Sequence, residues 1–403
     1  MNNTLVVLAH VPTEAVNRGF LPAADALGLG VILLTDQASA HHRYFSQPNL
    51  PAYPVQIIQC DVFNPVSVLD ALSDLPAPAG VFSNSDHLQT TTALTAAYLG
   101  LPGKDWRCCY RAKNKAAMRQ HLSASGADAC WFRTVWESES LEPAAISAPY
   151  PCIAKPREGV GSLNVRLLES AEQLRSFADG FWQAHPGQPL LLEEFLTGPL
   201  LTLETLGDGD RLIGLGGFEV TLSAPPHFVE LEATWVPYTE VHPHLPQMLE
   251  QVQRLGVGFG ACHSEFAITP EGPRLIEVNY RTVGDGREFL LDRMMDRQLF
   301  QTILQIHLGH AFNAPSAGSA AKIRYLGTPR AGTIQRAPLA REESLSDGIA
   351  EFTPLKVEGD SVQLTHSNRD YLGVLRLFAN DHTEVEAKLQ SWTAELETAW
   401  EIG

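Results

Sequence analysis

Residues 261–281 read Ala261-Cys262-His263-Ser264-Glu265-Phe266-Ala267-Ile268-Thr269-Pro270-Glu271-Gly272-Pro273-Arg274-Leu275-Ile276-Glu277-Val278-Asn279-Tyr280-Arg281. Two apolar–polar runs flank a turn around 270–273, which predicts a β-hairpin. Strand side chains alternate faces, so Glu277, Asn279 and Arg281 share one face while Ile276, Val278 and Tyr280 take the other and pack. A turn centred on Glu271 sets Glu265 opposite Glu277 and His263 opposite Asn279, and a bulge would shift that register by one residue. Carboxylates facing each other across a strand pair repel. A divalent cation removes the conflict, and Mg2+ prefers a few hard oxygen ligands completed by substrate phosphates. Glu265, Glu277 and the amide oxygen of Asn279 supply such ligands, and the Arg281 fork suits a phosphate. The other reading of the same residues is a solvated sheet face.

Working outward, three further segments carry chemistry. Pro151-Cys152-Ile153-Ala154-Lys155-Pro156 is an apolar strand that delivers Lys155, and Arg157-Glu158-Gly159-Val160-Gly161-Ser162 follows it. Gly159, Gly161 and Ser162 let backbone N–H groups approach an anion, with Lys155 as a compact charge. Taken alone, this is equally a strand-to-strand turn with an exposed lysine, and it is not a Walker A sequence. Leu190-Leu191-Leu192-Glu193-Glu194-Phe195-Leu196 is an apolar strand running into a polar step. Its backbone suits an adenine edge, or it is simply a buried strand. Upstream, Lys115 and Arg119 stand i, i+4 on a basic helix spanning 111–123, where a solvated basic face is the other reading.

The first hundred residues alternate strand-like runs (5–9, 31–35, 55–59 and 80–83) with helical ones, which predicts a doubly wound parallel sheet. The loop after the first run, His10-Val11-Pro12-Thr13-Glu14-Ala15, holds no glycine. This excludes a dinucleotide fingerprint there. Between 127 and 269 the strands shorten. Ser170-Ala171-Glu172-Gln173 reads as a capping box opening a helix that runs to about 184. Asp208-Gly209 reads as a hairpin turn, and 288–308 has helical periodicity. The expected domains are 1–110 (Rossmann-like), 111–310 (with a small clamping subdomain at about 127–200) and 311–403 (α+β).

The chain has 403 residues, with 44% hydrophobic and 19% charged. It carries a net charge of −17, which argues against a nucleic-acid partner but not against a single nucleotide. No apolar run approaches the roughly 20 residues that span a bilayer. No signal peptide is expected at the N-terminus. Six cysteines without a C-x-x-C pair indicate neither a disulfide framework nor zinc. The expectation is a cytoplasmic protein with no membrane partner.

In their order, the four segments resemble the ATP-grasp superfamily of carboxylate–amine ligases, above all its amino-acid ligase branch, over roughly 110–310. The motifs are N-K-x-x-M-R, A-K-P with a glycine loop, E-E-F-L, and H-x-E followed by E-x-N-x-R. The resemblance implies an α/β (α+β ATP-grasp) fold behind a Rossmann-like domain. It implies that Lys115, Lys155 and the Gly159–Gly161–Ser162 loop contact ATP, and that Glu193, Glu194, Phe195 and Leu196 frame adenine. Glu204 would reach the ribose. Glu265, Glu277 and Asn279 would hold one or two Mg2+ ions, with Mn2+ as the alternative. Arg281 would stabilise the transferring phosphoryl group, and Lys155 would assist it. One departure is Asn164, where many relatives place glycine; asparagine tolerates left-handed backbone better than most residues.

The implied reaction turns a carboxylate into an acyl phosphate, which an amine then attacks, with release of ADP and phosphate. The substrate site is expected between Arg281 and the segment Pro226-His227-Phe228-Val229-Glu230-Leu231-Glu232, with His227 and His263 among its residues, Glu230 on an α-ammonium and Arg287 on a carboxylate. A surface Glu230–Arg287 pair is the alternative. Gly284-Asp285-Gly286 lets the chain approach a ligand closely. The partners are then a small carboxylate and an amine, in siderophore or other natural-product biosynthesis by resemblance, with a homodimer as the default assembly. The alternatives are a bicarbonate- or formate-using relative of purine-type metabolism and a non-catalytic ATP-binding regulator.

Overall fold

The apolar runs of the first hundred residues pair as the alternation predicted. In the computed structural model, which describes residues 3–403 except 138–140, 160, 162, 226 and 314–319, they form β1 (Thr4–Leu8), β2 (Gly30–Thr35), β3 (Gln56–Gln59) and β4 (Gly80–Phe82). Their order is β3-β2-β1-β4 and every pairing is parallel. Parallel neighbours need crossovers, which the intervening helices supply. The loops leaving β1 and β4 therefore emerge at one rim, tied together where the Ser83 hydroxyl donates to the Leu8 carbonyl at 2.8 Å.

A second sheet holds β5 (Phe132–Val135), β6 (Cys152–Pro156), β7 (Arg166–Leu168) and β8 (Leu190–Glu194), all antiparallel. Half of the capping box is formed, with Ser170 Oγ accepting from the Gln173 N–H at the head of the helix Ala171–Ala184, while the Gln173 side chain accepts from the Glu169 N–H rather than from Ser170. That helix buries Leu174, Ala178, Phe181 and Trp182 against the sheet.

The remaining strands are β9 (Leu200–Asp208), β10 (Leu212–Leu222), β11 (Glu230–Pro237), β12 (Phe259–Thr269), β13 (Gly272–Asn279), β14 (Ala320–Gly327), β15 (Gly332–Arg336), β16 (Arg341–Ser344), β17 (Ile349–Pro354), β18 (Ser361–Val362), β19 (Tyr371–Ala379) and β20 (Glu401–Ile402). Nine of them make one sheet in the order β13-β12-β9-β10-β11-β14-β19-β17-β16, beside a small β18-β15-β20 sheet. The last ninety residues thus extend the central sheet through the β11–β14 pairing, with Ala233 opposite Ile323. Close approach within this sheet needs glycine at 217, where a Cβ would lie 1.8 Å from the Thr202 carbonyl oxygen.

Two helical expectations need correction. The basic helix at 111–123 is two helices, Trp106–Lys113 and Lys115–Ala124, because Asn114 leaves helical geometry and its side chain caps the second through the Ala117 N–H. The 288–308 stretch is also two helices, Arg287–Met294 and Leu299–His307, broken where Asp296 and Arg297 turn left-handed at φ 51° and 61°.

The 259–279 hairpin has the expected facing pairs, His263 with Asn279 and Glu265 with Glu277. A bulge produces them. From Thr269–Gly272 to Phe266–Leu275 the pairing follows a two-residue turn, and the register then shifts between Glu265 and Phe266. Ile276 is the extra residue. It turns to the same side as Glu277 and lines the central cavity, whereas Leu275, Val278 and Tyr280 enter the core. The expectation that Ile276 packs with Val278 is therefore wrong, since a bulge breaks strict alternation. Replacing Leu275, fully buried, with alanine should cost about 2–5 kcal/mol. Ile276→Ala should cost clearly less, and urea unfolding of the two variants reads the difference.

Candidate active site

The three larger sheets meet around one cavity of about 630 Å³. Lys115, Lys155, Gly159, Gly161, Glu193, Glu194, Phe195 and Leu196 line one part of it. Glu230, His263, Glu265, Glu277, Asn279, Arg281 and Arg287 line the rest. Ser162 lies outside the described residues. Asn164, at the departure, adopts left-handed backbone at φ 58°, as Gly161 does at 61°.

The cations of the first group are held in a buried network. Lys155 Nζ lies 2.5 Å from Glu193, and Arg119 Nε donates to the same carboxylate at 2.8 Å. Arg119 also pairs with Asp128, which pairs in turn with Arg274 at 2.5 Å, and Arg274 reaches Glu194 at 2.9 Å. Burial alone would raise the Glu193 pKa, but Arg119 and Lys155 hold it down to about 2. Lys115 donates to the Gly159 carbonyl at 2.9 Å and stands 3.2 Å from Glu277.

Glu265 and Glu277 face each other as the register requires. His263 lies 3.4 Å from Glu265 and 2.7 Å from Glu204. Burial would lower the His263 pKa, yet these two carboxylates raise it to about 9, so the ring is an imidazolium at neutral pH. Glu204 is not among the residues lining the cavity. It sits behind His263 and also accepts from the Thr202 hydroxyl at 2.9 Å. His227 does not line the cavity either. It stacks on His366 at 4.0 Å and meets Arg166 at 3.2 Å.

Arg281 is gripped from the N-terminal sheet, a contact the sequence did not reveal. Its Nε and Nη2 lie 2.8 and 2.7 Å from Asp86, on the loop after β4. Asn84 on that loop accepts from the Thr282 hydroxyl at 3.0 Å. At the far end, Arg287 donates to Glu230 at 2.6 Å. Burial pushes the Glu230 carboxyl up against the pull of Arg287. The pair is interior, with Arg287 at 3% and Glu230 at 7% exposure, so the surface reading is excluded. Arg287 Nε and Nη1 are buried without a partner among the described residues. Asp285, held left-handed at φ 56°, accepts from Asn368 Nδ2 at 2.7 Å, and both residues line the cavity. Asn368 lies too far along the chain for any motif to signal it.

Among the described residues, no three His, Cys, Asp or Glu side chains gather to hold a metal by themselves. Two opposed carboxylates and an amide oxygen on the wall of this cavity do fit Mg2+, which keeps waters or phosphate oxygens in its shell.

Glu193 generates a pH prediction. A carboxylate whose folded pKa lies below its unfolded value stabilises the fold above that unfolded value, and the stabilisation is lost as pH falls toward the folded pKa. Between about pH 5 and 2 the protein should lose on the order of 3 kcal/mol from this group. Glu193→Gln should be less stable at pH 7 and show a flatter stability curve across that window, measured by denaturant unfolding at each pH.

No family model matches the chain. Protein y4rH of Sinorhizobium fredii is 27% identical over 382 residues, 89% of this chain and 77% of that protein. The L-arginine-specific L-amino acid ligase of Bacillus subtilis is 23% identical over 319 residues, 75% of this chain and 77% of its own. The crystal structure of L-amino acid ligase from Bacillus licheniformis superposes with a TM-score of 0.77 at 19% identity, covering 100% of this chain and 98% of that one. N5-carboxyaminoimidazole synthetase from Staphylococcus aureus, solved with ADP, gives 0.69 at 14% identity, covering 98% and 99%. No helix among the described residues is long and apolar enough to cross a membrane. The chain thus has the fold of these ligases, with the four motif segments in order on it, and is similar in sequence to an L-amino acid ligase.

Proposed function

We propose that the protein uses ATP to activate the carboxylate of an amino acid or small carboxylic acid as an acyl phosphate and couples it to an amine, releasing ADP and phosphate. The observation that carries this reading is the single cavity, in which opposed Glu265 and Glu277, Lys115, Lys155 and the interior Arg287 all take part. Lys115 and Lys155 neutralise phosphate charge, and the segment from Glu193 to Leu196 frames the base. Glu265, Glu277 and Asn279 hold Mg2+, which when bound neutralises charge on the transferring phosphoryl group. Arg281, fixed by Asp86, stabilises that group and the acyl phosphate.

Arg287 lines the cavity, and its guanidinium charge suits a carboxylate. Glu230 beside it suits an α-ammonium, and the two together favour an amino acid. The protein's part is positioning and charge complementarity.

The test is incubation with Mg-ATP and pools of amino acids and small carboxylic acids, with ADP, AMP and phosphate measured. Substrate-dependent ADP and phosphate support the reading, whereas AMP with pyrophosphate means adenylation and overturns it. ADP release driven by bicarbonate or formate alone points to a carboxylase-type activity instead. Glu277→Ala should lower substrate-dependent ADP release by about 100-fold or more. Glu230→Gln should raise the amino-acid KM roughly tenfold, a loss of about 1.4 kcal/mol; an unchanged KM would remove the ammonium role.

A further inference from the structure

The N-terminal sheet contributes its own stretch of wall to the cavity, including Ala9, His10, Val11, Thr13, Asn84 and Asp86. Asn84 and Asp86 hold Thr282 and Arg281, and the proposed function gives Ala9, His10, Val11 and Thr13 no part. One of them is chemically equipped. His10 Nδ1 lies 2.8 and 2.9 Å from the two oxygens of Asp36, which are acceptors only, so Nδ1 carries the proton. Nε2 is then the free lone pair, and it has no hydrogen-bond partner among the described residues.

The ring is locked in place. The Thr35 hydroxyl donates to the His10 carbonyl at 3.0 Å, and Phe63 packs edge-on at 5.3 Å between centroids. The imidazole keeps 38% exposure. β1 pairs directly with β4, so His10 shares its rim with the loop whose Asp86 grips Arg281.

Resting on the ligase reading above, we propose that His10 is the general base that deprotonates the attacking amine, with Asp36 as its positioning residue. The incoming amine arrives as an ammonium and cannot attack until it loses a proton. His10 Nε2 takes that proton. The nitrogen lone pair then forms a bond to the acyl carbon, the C–O bond to phosphate breaks, and a second N–H proton leaves with the phosphate. The imidazolium returns its proton to solvent. His87 lines the same cavity, and burial and Lys113 lower its pKa. Asp86 is near it, but no carboxylate among the described residues hydrogen-bonds its ring, so it serves as the control.

Hydroxylamine tests this, because it is unprotonated at neutral pH and traps acyl phosphates as hydroxamates without a base. The wild type is given Mg-ATP and a pool of L-amino acids, with and without hydroxylamine. His10→Asn should keep hydroxamate formation within about twofold and lose amide formation by about 100-fold or more in kcat, the range of general-base catalysis. Asp36→Asn should lower kcat for the amide in the same selective way, whereas a purely structural role would lower both products together. Equal loss of both products in His10→Asn, a change confined to the amine KM, or a selective loss in His87→Asn instead would each overturn the proposal. Absence of hydroxamate from the wild type itself would remove the ligase reading, a result distinguishable from any of these.

Discussion

Glu265 and Glu277 face each other across β12 and β13, and the fold has to offset their repulsion from both sides. Lys115 does so for Glu277 at 3.2 Å, and the imidazolium of His263 does so for Glu265 at 3.4 Å. Each of these has a second attachment. Lys115 also bonds the Gly159 carbonyl, which ties the helix Lys115–Ala124 to the glycine loop. His263 is charged because Glu204 stands behind it. The like-charge pair thus fixes where a helix, a loop and a neighbouring strand must sit.

The three larger sheets are joined at the cavity by charge as much as by apolar packing. Arg119 links its helix to β8 through Glu193 and to the β13 backbone through the Leu275 carbonyl, at 2.5 Å. Asp86 links the parallel sheet to the end of β13. Buried ion pairs add little net stability, because desolvation opposes the Coulomb gain, but removing one partner is strongly unfavourable. Such links therefore specify which side chains meet more than they strengthen the assembly.

The parts of this arrangement legible in the sequence were those set by local periodicity. Alternation and a short turn were enough to place Glu265 opposite Glu277, and Ser170 caps its helix as read. The face taken by Ile276 was not legible, because a two-residue turn and a compensating bulge give the same distal register as the wider turn first assumed. The position of Glu204 depended on which strand pairs with β12, a tertiary fact. His10 and Asp36 lie 26 residues apart and meet only because β1 and β2 are parallel neighbours, which motif spacing does not encode. Asp86 and Arg281, 195 residues apart, are more remote still.

Arg287 carries a consequence of a different kind. Its guanidinium is interior, one carboxylate satisfies part of it, and Nε and Nη1 have no partner among the described residues. Most of the cost of stripping water from this cation is met during folding, so under the proposed reading a substrate carboxylate there would meet a cation already desolvated. The folded protein is correspondingly less stable than an apolar core at the same place would make it. Selection for thermal robustness alone would tend to replace Arg287 and Glu230 together with hydrophobic residues, giving a firmer molecule that no longer favours a charged ligand. At this point in the fold, stability and recognition pull in opposite directions.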